Sequence, residues 1–160
     1  MPLPQVILGA VALVVILALL LWLLKSPPQM PYQRREEFLS PAEFLFFRAL
    51  EQAVGDDFYI FAKVRIGDLL CVTEGTENAR GWFARIGQKH VDFLLADREN
   101  VRPVLVIELD DSSHQRTDRQ QRDTFVDAAL QAAGLPILRI PCAAEYSVEQ
   151  LTDQIKAGAR

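Results

Sequence analysis

The stretch from Gln5 to Leu24 reads QVILGAVALVVILALLLWLL and carries no charged residue. At about 1.5 Å per residue, a helix of this length spans roughly the 30 Å of a bilayer core. No water is available there to the backbone, so a single segment satisfies its own N–H and C=O groups only as a helix. Trp22 lies near the end of the run, where an interfacial aromatic belongs. The run therefore predicts one transmembrane helix over residues 5–24, with a lipid bilayer as its partner, after a short tip at residues 1–4. A cleaved signal peptide is the alternative, but no basic region precedes the run and no small-x-small cleavage site follows it. Lys25, Arg34 and Arg35 follow the helix and no Lys or Arg precedes it. The positive-inside rule then places the N-terminus outside and the remainder in the cytoplasm.

Residues 25–39 hold three prolines and a charge cluster, which predicts a short, semi-extended linker. Residues 40–160 are the length of one domain and suffice for a modest core without disulfides. Cys71 and Cys142 show no metal-finger or CxxC spacing. They are expected as small core hydrophobes in a reducing compartment, with no disulfide partner. The formal charge of −4 argues against broad, nonspecific coating of nucleic acid.

Ser40-Pro-Ala-Glu43 is a capping box with proline at the first helical position. A helix is expected from Pro41 to about Val54, with Phe44, Phe47 and Val54, flanked by Leu45 and Leu50, as its apolar face. Strands follow at Phe58–Val64, His90–Ala96 and Pro103–Asp110, the first rich in aromatic and branched residues. Between the first two, short helical pieces surround a loop at Glu74–Asn78. Asp118–Ala133 is expected as a helix that buries Phe125, Val126, Ala129, Leu130 and Ala133, with Gly134 as its cap. Ile137–Ile140 is a short strand, and Ser147 starts a terminal helix. The helix between the third and fourth strands makes those two parallel. The fold class is α/β, with a mixed sheet and flanking helices.

Two of these strands carry acids where a buried strand should have none. Asp92 sits inside Val91-Asp-Phe-Leu-Leu95, and Glu108 and Asp110 end Val104-Leu-Val-Ile-Glu-Leu-Asp110. Carboxylates are rarely buried unless paired or bound to a cation. Glu108 and Asp110, two apart, share a strand face. Three acids converging from adjacent strands suit a hard divalent cation, Mg2+ or Mn2+, and so a metal-dependent hydrolase. The structural alternative is an ion-pair network in which Arg122 and Arg139 neutralise the acids.

The element order, with Asp92 on the second strand and Glu108-Leu-Asp110 on the third, resembles the restriction-endonuclease-like core of the PD-(D/E)XK nucleases. Ile-Glu-Leu-Asp-Asp-Ser-Ser-His114, with Asp118, Arg122 and Asp123 and then Ala-Gly-Leu-Pro-Ile-Leu-Arg139, looks like the very-short-patch-repair endonuclease branch. Ser-Pro-Ala-Glu43, Phe-Ala-Lys63-Val-Arg, Gln-Lys-His-Val-Asp92-Phe and Ile-Glu108-Leu-Asp-Asp are similar to a bacterial family, domain of unknown function 2726. In a bacterium the anchor would lie in the inner membrane.

The resemblance implies metal-assisted phosphodiester cleavage in nucleic acid. Asp92 and Glu108 match its two cation-holding positions, and Glu43 matches an accessory acid. The chain departs from the pattern at Asp110, where the superfamily has a lysine that stabilises developing negative charge. Asp110 is then a third cation ligand or a base. His114 stands in as a proton-transfer group, or Lys63 as a relocated lysine. Glu43 is equally explained by helix capping, and His114 by a solvated loop. Arg116, Arg119 and Arg122 lie three apart and suit phosphate contacts, although Asp118–Arg122 and Arg119–Asp123 are also ordinary helical pairs. Trp82, Phe83 and Arg85 offer a base-stacking surface, with core packing the blander account. Loss of the lysine also fits a second reading, a catalytically inactive nuclease-fold module for binding or scaffolding at the membrane.

Overall fold

The computed structural model describes residues 2–24, 29–110 and 117–159, with the backbone alone over 117–123. His114 and Arg116 lie outside the described residues, as do the side chains of Asp118, Arg119, Arg122 and Asp123. The chain divides into two compact units, residues 1–36 and 37–160.

In the first unit, helix α1 runs over Leu3–Leu23, two residues earlier at its start than the apolar run suggests. Pro4 is tolerated in its first turn, where N–H groups have no intrahelical partner. The helix is long and apolar enough to cross a membrane, and none of its residues is buried against protein.

The second unit is an α/β domain. Among the described residues it contains α2 (Pro41–Val54), β1 (Phe58–Arg65), α3 (Ile66–Leu69), α4 (Ala79–Ile86), β2 (His90–Asp97), β3 (Pro103–Asp110), α5 (Thr117–Ala132), β4 (Ile137–Pro141) and α6 (Val148–Gly158). The strands form one mixed sheet in the order β1-β2-β3-β4. β1–β2 and β2–β3 are antiparallel and β3–β4 is parallel, as the intervening helix requires.

Two apolar clusters flank the sheet. Phe46, Leu50 and Val54 of α2 and Leu151 and Ile155 of α6 pack on Phe93, Leu95, Leu105 and Ile107. Ile66, Ile86 and Leu130, from α3, α4 and α5, pack on Val91, Leu94 and Val106. The central strands are buried on both faces, which is why β2 and β3 read as continuous apolar runs. The Schellman geometry at the end of α5 aims the chain into β4. Leu135 N–H donates to the Leu130 carbonyl and Gly134 N–H to that of Gln131. Gly134 has φ +70°, a value that favours glycine.

The structure corrects three expectations of burial. The inward residues of α2 are Phe46, Leu50 and Val54, whereas Phe44 and Leu45 are exposed. Seven apolar residues in the first ten of this helix, Ala42, Phe44, Leu45, Phe46, Phe47, Ala49 and Leu50, let either of two faces be read as the core. Cys71 and Cys142 are both exposed and neither is in a disulfide, because each lies in a connection beyond the sheet. Trp82 and Phe83 are exposed as well, since α4 is short and turns Ile86 inward instead.

Candidate functional site

Two of the predicted acids, Asp92 and Glu108, lie on one line across the sheet. Ala62 pairs with Phe93 and Val64 with Val91, so Lys63 on β1 stands opposite Asp92 on β2. Phe93 pairs with Ile107, and one step further the same register sets Asp92 opposite Glu108 on β3. Glu108 is in turn paired with Arg139 on β4. Lys63, Asp92, Glu108 and Arg139 thus occupy successive strands at one level, and all four are partly buried.

The sheet is irregular at this level. The β2–β3 pairing stops at Phe93–Ile107. Beyond it, Leu109 N–H donates not to a strand carbonyl but to Asp92 Oδ2, at 2.9 Å. The Asp92 side chain therefore sits where the two strands part, against the Glu108–Leu109 backbone. Lys63 has φ +54°, a left-handed conformation uncommon for a residue with a Cβ, costing about 1–2 kcal/mol. It breaks the two-residue alternation of β1. Ala62 packs with the α2–α6 cluster and Val64 with the α3–α5 cluster. Such strain persists where the surroundings enforce it, and it concentrates at functional positions.

The Lys63 side chain meets Glu43. Its Oε1 accepts from Lys63 Nζ at 2.6 Å and its Oε2 from the Ser40 N–H at 2.6 Å, while its own N–H donates to Ser40 Oγ at 3.3 Å. The capping box and the ion pair thus share one carboxylate, leaving each oxygen with a donor. Partial burial raises the Glu43 pKa, but the Lys63 ammonium and the Ser40 donors outweigh it. The net value lies below the ordinary carboxylate range.

On the other side of the line, Arg139 donates to Asp110 Oδ1 at 3.1 Å and to Asp127 Oδ1 at 2.7 Å. Burial lowers its pKa, and the two carboxylates more than restore it. Asp110 is therefore held by an arginine, as the ion-pair alternative anticipates for that residue. Asp127, on α5, was not foreseen. Its only signal is position, three residues before the buried Leu130 on the edge of an apolar stripe. Among the described residues, no group of three His, Cys, Asp or Glu side chains is placed to hold a metal ion.

A partly strained, acid-bearing line across a four-stranded mixed sheet defines an α/β domain with a candidate site at the parting of its central strands. The chain belongs to the DUF2726 family of proteins of unknown function, whose model matches residues 35–158. No curated protein and no solved structure matches the chain.

Proposed function

We propose that this protein is a membrane-anchored, metal-dependent nuclease with a restriction-endonuclease-like domain, and that it hydrolyses phosphodiester bonds of nucleic acid. The observation that carries the reading is the parting of β2 and β3 at Asp92, which sets this acid beside Glu108 with Lys63 one strand away. Magnesium is usually held by one or two carboxylates, with waters and substrate phosphate completing its shell, so the pair Asp92 and Glu108 fits Mg2+ or Mn2+ without a third protein acid. A cation there supplies Lewis acidity toward the phosphoryl oxygen and lowers the pKa of an attacking water. Lys63 contributes the positive charge that Asp110 cannot, and Glu43 positions it. Helix α1 tethers the domain to the bilayer, with the domain on the cytoplasmic side of the inner membrane. His114, Arg116, Arg119 and Arg122 remain candidates for proton transfer and phosphate contact.

One observation favours the second reading, an inactive module for binding or scaffolding. Arg139 engages Asp110, removing one acid from the set that a cation would share. The two are separated by titrating the full chain in nonionic micelles with Mn2+, followed by electron paramagnetic resonance. Saturable binding that disappears in a still-folded Asp92→Ala/Glu108→Ala variant is expected. Identical titrations of parent and variant, even with an oligonucleotide pool present, would overturn the metal site and leave the inactive module. Sedimentation with alkali-washed membranes, lost when residues 3–24 are deleted, is the expected result for the tether.

A further inference from the structure

We infer that the exposed face of α4 is a single-stranded nucleic-acid surface, on which Trp82 stacks a base and Arg80 and Arg85 meet the backbone. The inference rests on the nuclease reading and names its substrate class. From Ala79 to His90 the chain reads ARGWFARIGQKH, with three cations and no acid, in a protein whose net charge is −4. Trp82 is 46% exposed and Phe83 42% exposed. Large aromatics left in solvent on a short helix add little to a core, and every base has a π-face that suits them.

The cations are arranged around rings. The Arg85 guanidinium lies 5.0 Å from the centre of the Trp82 ring and 3.8 Å from that of Phe125 on α5, and Lys89 Nζ lies 5.0 Å from Phe125. No carboxylate among the described residues forms an ion pair with Arg85. Arg85 therefore presents its charge between two rings, an arrangement complementary to a polyanion. Beside them a groove of about 360 Å³ has Trp82 and Phe125 in its walls and Ala128 and Ala132 in its lining. Its small side chains leave room beside the indole for a flat, unpaired base. A duplex keeps its bases stacked inside and offers Trp82 none without unstacking, so the surface selects single strands.

Trp82 itself reports the contact. The chain has two tryptophans, Trp22 and Trp82, so Trp22→Phe leaves one emitter. The full chain with this change, in nonionic micelles with EDTA, is titrated with a twelve-nucleotide oligothymidylate, its duplex with oligoadenylate, and inorganic polyphosphate. Saturable quenching by the single strand is expected, with weaker binding of the duplex and no quenching by polyphosphate. Anisotropy of a labelled single strand, read on the native-Trp22 chain, is expected to show affinity roughly five- to a hundredfold weaker in Trp82→Ala and largely retained in Trp82→Phe. Arg80→Glu/Arg85→Glu should weaken binding and flatten its salt dependence. Equal quenching by polyphosphate, preference for the duplex, or an unchanged affinity in Trp82→Ala would overturn the inference. Binding without metal-dependent cleavage would keep this surface and sink the nuclease reading. Cleavage unaffected by Trp82→Ala would do the reverse.

Discussion

Two ion-pair arrangements flank the central acids, and they differ in kind. On the β1 side, one lysine meets one carboxylate whose side chain is only 14% exposed, and the lysine backbone is left-handed. On the β4 side, one arginine is shared between two carboxylates that are 53% and 43% exposed, with no unusual backbone at any of the three. The second arrangement ties α5 to β4 and asks little of the chain. The first holds the Lys63 ammonium against Glu43, on the strand next to Asp92. Strained backbone with a sheltered partner marks positioning, whereas exposure with redundancy marks ordinary surface chemistry.

The contrast breaks most sharply in activity. If Lys63 stabilises charge at the site, Lys63→Ala lowers metal-dependent cleavage by about 100- to 1,000-fold. Arg139→Ala leaves it within a few-fold, measured on the oligonucleotide that the parent cleaves. Equal losses in the two variants would erase the distinction. Stability comes next. Lys63→Ala leaves the sheltered Glu43 carboxylate without its ammonium partner and lowers unfolding free energy by about 1–3 kcal/mol. Lys63→Gly recovers about 1 kcal/mol of that, because glycine adopts positive φ without strain. Urea unfolding of the three proteins in micelles checks the order.

A smaller effect lies in the acid limb of stability. The folded pKa of Glu43 is depressed, so its contribution is present above the unfolded value near 4.5 and is lost as pH falls through the folded value. The parent should therefore lose stability faster below about pH 4.5 than Glu43→Gln, with the two curves converging at lower pH. The raised pKa of Arg139 works in the opposite sense, and its contribution is lost only under strongly alkaline conditions. The smallest effect is on the β4 side, where Arg139→Ala should change stability by less than about 1 kcal/mol, and less still in high salt. Thermal melts at low and high ionic strength test this. A drop of several kcal/mol would place Arg139 among the supports of the core.

The legible parts of the molecule were those with local causes. Ser40-Pro-Ala-Glu43 predicted the start of α2 to the residue because a capping box is a contact between near neighbours. Pro103–Asp110 was readable because a central strand is apolar on both faces. Gly134 stopped α5 for a reason confined to its own φ. The acids of the candidate site were visible as charge inside apolar runs. Their partners were not, since Asp127 meets Arg139 across a helix–strand packing that no spacing encodes. Nor was the left-handed Lys63, which sits in a run of strand-forming residues without the glycine or asparagine that usually announces positive φ.

The sequence by itself determined an apolar helix followed by an α/β domain, the succession of strands along the chain, the parallel pairing of the last two, and the acids carried by two of them. Periodicity, capping and turn chemistry act over a few residues, so they are written where they operate. Only the tertiary structure decided that Phe46 rather than Phe44 enters the core, that Trp82 stays outside it, that Glu43 serves Lys63, and that Arg139 takes Asp110. Each of these depends on which side chain from a distant segment arrives first at a shared space, and that competition is settled by packing and charge in three dimensions.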